Sequence, residues 1–106
     1  MFDLSRVYVK GRTPGRKRLL KSDERILLCI LRSQEQRLAI SIRDLARLTH
    51  NNRDTVDKTT TRLQREGLVE AEENFDENHA QIENTWYLTP EGERRAWEVF
   101  DLCLDQ

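Results

Sequence analysis

Four cations fall at helical spacing within one short stretch of this 106-residue chain: Arg53, Lys58, Arg62 and Arg65. Asn52 and Thr55 stand at the start of the same stretch. Guanidinium and ammonium groups are hydrogen-bond donors for oxyanions, and amide and hydroxyl side chains add directional contacts. A second basic group, Arg12, Arg16, Lys17 and Arg18, lies in Lys-Gly-Arg-Thr-Pro-Gly-Arg-Lys-Arg, residues 10–18. Its glycines and proline, with no apolar period, read as a flexible arm. Both groups have the chemistry of holding a polyanion rather than of breaking bonds.

Other chemistries find little support. His50 and His79 have no nucleophile at a suggestive position, and no glycine-rich phosphate loop or paired-carboxylate motif is present. No catalytic residue and no enzyme activity is expected. Cys29 and Cys103 are far apart, each among apolar neighbours, and read as free thiols acting as small hydrophobes. No pair of His or Cys has metal-ligand spacing, so neither metal nor cofactor is expected.

The formal net charge is −1, but the charges are sorted along the chain. Residues 1–21 carry seven basic side chains against Asp3, and residues 22–65 carry nine against six acids. Residues 66–106 carry two basic side chains against twelve acids. Blocks of opposite sign mark a face or arm that meets a polyanion, or simply a solvated surface. The longest apolar run, Ile26 to Leu31, falls far short of the roughly 20 residues that span a bilayer. Nothing at the start has the order of a signal peptide, so a soluble cytoplasmic protein is expected.

These side chains need elements to hold them. Ser22, followed by Asp23 and Glu24, is expected to cap a first helix with Ile26, Leu27, Ile30 and Leu31 on its buried face. Leu38-Ala39-Ile40 reads as a short extended piece that pairs elsewhere. Ser41-Ile-Arg-Asp44 has the form of a capping box for a second, short helix. His50 and Asn51 suit a tight turn, and Asn52 caps a third helix reaching about Glu66. With Val56 inward, about 100° per residue places Thr60 and Leu63 beside it and turns Lys58, Thr61, Arg62 and Arg65 outward. Gly67 ends that helix. Two strands, Leu68 to Glu72 and Ile82 to Leu88, are expected around a long polar loop. Thr89-Pro90-Glu91 opens a last helix with Trp97, Phe100, Cys103 and Leu104 on one stripe.

The run from Asp44-Leu-Ala-Arg-Leu48 through Asn52-Arg-Asp-Thr-Val56 to Arg62-Leu-Gln-Arg-Glu-Gly-Leu-Val69 resembles winged helix-turn-helix transcription regulators of the MarR and PadR group. Leu88-Thr-Pro-Glu-Gly92 is similar to the Leu-Thr-x-x-Gly signature that follows their wing. The likeness covers roughly residues 22 to 100. It implies a mostly α fold with a small β-hairpin, a winged helix-turn-helix with a C-terminal dimerisation helix. Residues 1–21 would be the basic arm and 22–106 the domain, with the helix-turn-helix at 42–66, the wing at 68–88 and the last helix at 90–104. The departures are polar: Thr49, Asn51, Thr59 and Thr60 stand at positions usually apolar, and His50 at a usual glycine. Either packing under the third helix is looser, or the hydroxyls bond back to the backbone. From Glu66 to Glu93 there are nine acids and no Lys or Arg, so the usual role of the wing in DNA binding is not expected.

The resemblance implies a double-stranded DNA-binding regulator, a repressor, with the third helix in the major groove. Asn52, Arg53, Thr55, Lys58, Arg62 and Arg65 would meet bases or phosphates. Arg12, Arg16, Lys17 and Arg18 would lie on the backbone or minor groove, in a segment similar to an imperfect AT-hook. A solubilising tail or a localisation signal is the competing reading of that arm. Trp97, Phe100 and Leu104 would form a homodimer interface, or pack on the first helix of their own domain. Two other functions stay open: a protein–protein module whose acidic wing takes a basic partner, and a plasmid or phage replication or partition factor.

Overall fold

The computed structural model describes residues 8–10 and 17–103. Among these residues the order is β1 (Tyr8–Lys10), β2 (Lys17–Leu19), α1 (Ser22–Glu35), α2 (Ile42–Thr49), α3 (Arg53–Arg65), β3 (Val69–Phe75), β4 (Gln81–Leu88) and α4 (Pro90–Leu102). This is the mostly α, winged helix-turn-helix architecture, with a helix following the wing.

The central element is α1. Ile26, Leu27, Leu28, Cys29, Ile30 and Leu31 are all buried, so the helix is covered on nearly every side rather than on one face. Leu28 and Cys29 lie away from the expected stripe: Leu28 is bordered by Phe100 of α4, while Cys29 lies within the field of Asp44 and Arg47 of α2. The burial pushes the Cys29 thiol up to about 12, which leaves it protonated and unreactive. Lys21, not Ser22, occupies the cap of α1. Its backbone N–H donates to Glu24 Oε1 at 2.8 Å, while Ser22 Oγ turns sideways and accepts from Arg25 Nη2 at 3.2 Å.

Three helix ends reverse through the left-handed region, and only one uses glycine. Gly67 (φ 79°) follows α3, and the N–H groups of Gly67 and Leu68 donate to Gln64 O and Leu63 O. That is the paired closure typical of a Schellman end. Arg37 (φ 57°) after α1 and His50 (φ 58°) after α2 occupy the equivalent place despite their Cβ atoms.

Polar residues seat α3 on the core. Thr49 Oγ1 donates to Leu45 O at 2.6 Å and Thr60 Oγ1 to Val56 O at 2.8 Å, and both threonines are buried. The hydroxyls therefore bond back to their own helices, and Val56 and Leu63 stay fully buried beside them. Asn51 Oδ1 accepts from Arg25 Nη2 at 3.1 Å, tying the α2–α3 turn to α1.

The strands of the wing run longer than expected, and its loop shrinks to Asp76–Ala80. Asp76 Oδ1 accepts from the backbone N–H of Asn78 and Ala80, and His79 adopts φ 62°. An aspartate thus does the turn-forming work for which the sequence offers no glycine or proline. Ile40 O accepts from Trp86 N at 3.0 Å, which is the partner of the Leu38–Ile40 segment. At the root of the wing, Thr89 Oγ1 accepts from Gly92 N and donates to Gly67 O at 2.6 Å. A Cβ on Gly92 would lie 1.8 Å from Leu68 O, so the start of α4 approaches the first wing strand too closely for any other residue.

The short antiparallel pair β1–β2 overlaps the two ends of the segment 10–18 read as a flexible arm, with Tyr8 opposite Leu19. Lys17 Nζ sits 5.0 Å from the Tyr8 ring centroid, a cation–π contact that links the two strands.

Candidate nucleic-acid interface

Helix α3 is held by Asn52, whose Oδ1 accepts from Thr55 N at 2.8 Å, and by Val56, Thr60 and Leu63 in the core. With that face fixed, Lys58, Thr61 and Arg65 lie on the opposite, solvent side, with Arg53 and Arg62 on its flanks. Asn52 is exposed, although its side-chain oxygen is committed to the cap, and Thr55 is half-buried.

The four cations are not equivalent. Arg53 Nη2 lies 3.1 Å from Glu83 Oε1 of β4, across the cleft between the start of α3 and the wing. Arg62 Nη2 lies 3.1 Å from Asp23 Oδ2 at the start of α1, and Nη1 lies 3.7 Å from Glu66. The side chains of Lys58 and Arg65 have no ion pair or hydrogen bond with any other described residue. Together with Asp57, Thr61 and Arg62 they line a shallow, open depression on the outer face of α3.

Of the arm cations, Arg12 and Arg16 lie outside the described residues. Arg18 forms a forked pair with Glu24, Nη1–Oε1 2.6 Å and Nη2–Oε2 2.9 Å. Glu24 is 4% exposed. The Arg18 guanidinium holds the Glu24 carboxyl below the usual carboxylate range, against the upward push of burial, and is itself raised by the pair.

On α4, Gly92, Ala96 and Val99 face the core, so the buried stripe runs beside the aromatic residues rather than through them. Trp97 and Phe100 are 40% and 51% exposed and meet edge to face with centroids 5.4 Å apart. Phe100 borders a small depression with Leu28 and Leu31 of α1. Leu104 lies outside the described residues.

The residues missed by sequence reasoning are the carboxylates that engage these arginines. Glu83 lies 30 positions from Arg53, and Asp23 lies 39 from Arg62. Exposed ion pairs leave no periodic pattern, and only the three-dimensional return of the wing to α3 brings Glu83 into reach. Among the described residues no group of three or more His, Cys, Asp or Glu is gathered so as to hold a metal ion. None of the described helices is long and apolar enough to cross a membrane.

This arrangement, two helices across a left-handed turn with a hairpin and a following helix, defines a winged helix-turn-helix. No protein-family model matches the chain, and no curated protein does. Solved structures do, among them the following at low sequence identity. Lactococcus lactis ZitR, described as a zinc-responsive MarR family member, superposes with TM-score 0.66 at 19% identity, over 89% of this chain and 60% of that one. MepR, described as a transcription regulator of a Staphylococcus aureus multidrug efflux pump, gives 0.60 at 16% identity, over 76% and 55%. AF1382 from Archaeoglobus fulgidus gives 0.66 at 18%, over 78% and 86%. This chain thus spans a little over half the length of ZitR and MepR. The fold is the one seen in ZitR, MepR and AF1382.

Proposed function

We propose that this chain is a double-stranded DNA-binding transcriptional regulator that presents α3 to the major groove. The observation that carries this reading is the outer face of α3, where Lys58 and Arg65 point to solvent with no partner among the described residues. Unengaged cations on a helix held rigidly by its opposite face are suited to phosphate contact and to bidentate recognition of guanine. Arg53 and Arg62 extend this surface once they leave their carboxylates, and Asn52 and Thr55 lie at the end of the helix that would enter the groove. The solved structures with the same fold include MepR, a transcription regulator, which supports this reading. A regulator of this kind needs no catalytic site, and it would act in the cytoplasm on the nucleoid.

The arm, residues 1–21, adds a second contact to the backbone or minor groove. Arg12, Arg16 and Lys17 supply its charge, while Arg18 anchors its base through Glu24. The exposed Trp97–Phe100 pair, with Leu104 as the further residue of the same sequence stripe, would be the homodimer surface and set two α3 helices on a two-fold operator. Repression follows if that operator overlaps a promoter.

Selection of bound sequences from a random duplex pool tests the reading. A palindrome with half-sites about one helical turn apart is the expected result, and no enrichment overturns it. Sedimentation at tens of micromolar is expected to show a dimer.

A second reading is favoured by one feature of the wing. Phe75 and Ile82 are 55% and 50% exposed on a strand pair rich in glutamate, a surface suited to a basic, partly apolar protein partner. Retained specific DNA binding together with such a partner would assign the wing to assembly rather than to DNA.

A further inference from the structure

The cation at the start of α3 faces an anion supplied by the wing, and the strand geometry shows why. The wing register pairs Glu72 with Thr85 and then Asn74 with Ile82, so β4 carries one residue more than β3 between these pairs. Glu83 lies in that bulge. Asn74 Nδ2 clamps it by donating to Glu83 O at 3.0 Å and to Glu72 O at 3.3 Å. Bulges commonly re-aim a side chain, and here the carboxylate reaches Arg53 Nη2 at 3.1 Å over a cleft also lined by Ile42, Asp57 and Trp86.

We propose that Glu83 is an internal competitor for DNA phosphate at Arg53, so that the wing lowers the affinity of the α3 face for any duplex. This inference rests on the reading that α3 meets DNA. Both side chains stay half-open to solvent, so the pair is an exchangeable contact rather than a buried lock. Surface pairs of this kind are weak, and the dense charge of a phosphate backbone can replace the carboxylate. Glu83 therefore tunes binding by a modest factor and does not abolish it. The wing of this protein would act on DNA binding from within, by occupying a cation of the recognition helix.

The test is a double-mutant cycle on full-length protein, titrating a short random-sequence duplex at low salt. Glu83→Gln is expected to tighten binding about threefold, the scale of one exposed pair. In an Arg53→Gln background the same change is expected to have no effect. Glu83→Asp keeps the charge but shortens the reach, and is expected to tighten binding in the same direction. Equal tightening by Glu83→Gln with and without Arg53 would show a diffuse field effect and overturn the proposal. So would unchanged binding by both Glu83 variants, provided their unfolding midpoints match the parent. Absence of duplex binding by every protein, parent included, overturns the DNA reading itself, and is thereby distinguishable from failure of this contact alone.

Discussion

The segment around α1 and α3 and the segment around the wing are anchored by different physics. The first, around the buried core of α1, Val56 and Leu63, is further tied by arginines: Arg18 to Glu24, Arg62 to Asp23 and Arg25 to Asn51. The second is rooted by backbone closeness, through Gly67, Thr89 and the contact of Gly92 with Leu68 O. The consequence is an inverse use of charge. In the basic half, Arg18, Arg25 and Arg62 are engaged by neighbouring groups, and Lys58 and Arg65 have no partner among the described residues. In the wing, the root is held without charge, so its acids stay on the surface and one of them is directed back onto Arg53. A net charge of −1 thus conceals a cationic helix face and an anionic hairpin that meet at one contact.

Gly92→Ala should disturb this contrast most. A methyl group placed 1.8 Å from Leu68 O must push α4 off the wing root. The expected loss is about 3 kcal/mol or more, measured by denaturant unfolding. Because no charge is involved, the loss should be the same at low and high salt.

Glu24→Gln tests the charged anchor. Removing a nearly buried carboxylate from a forked pair should cost about 2 kcal/mol at neutral pH, the scale of hydrogen bonds to charged groups. The pKa of Glu24 is lower in the folded state than in the unfolded chain, so the pair contributes fully above the ordinary glutamate value of about 4.3. That contribution is lost as pH falls through the depressed folded value. Unfolding curves of parent and variant should therefore converge in acid and separate toward neutrality, unlike those of Gly92→Ala.

The smallest effect is a gain. Arg37 carries a Cβ in a left-handed closure of the same type that Gly67 makes freely, with its backbone N–H donating to Gln34 O at 3.0 Å. Arg37→Gly should raise stability by about 0.5 to 1 kcal/mol, read as a higher unfolding midpoint.

Much of the basic half is legible in the sequence because its signals are local. Ser41 with Asp44, Asn52 and Gly67 each mark an end within a few residues, and one buried position, Val56, sets the phase of α3. The exposure of Lys58 and Arg65 follows from that phase. The all-round burial of α1 is not legible, since Leu28 meets Phe100 of α4, far along the chain, and Cys29 lies beside α2, and the cause is tertiary packing rather than periodicity. The five-residue wing turn leaves no glycine or proline signal because an aspartate side chain shapes it. The holding of Arg53 and Arg62 is invisible for a different reason: paired and unpaired arginines on an exposed helix look alike in sequence, and only the fold distinguishes them.

The central claim is that the outer face of α3 binds DNA phosphate while the wing does not. The salt dependence of random-duplex binding tests it most directly. Each lost phosphate contact lowers the log–log slope by about 0.9, so the double variant Lys58→Gln, Arg65→Gln should lose about 1.8 from the slope. Glu77→Gln at the tip of the wing should leave the slope of the parent in place. An unchanged slope in the double variant would contradict the claim.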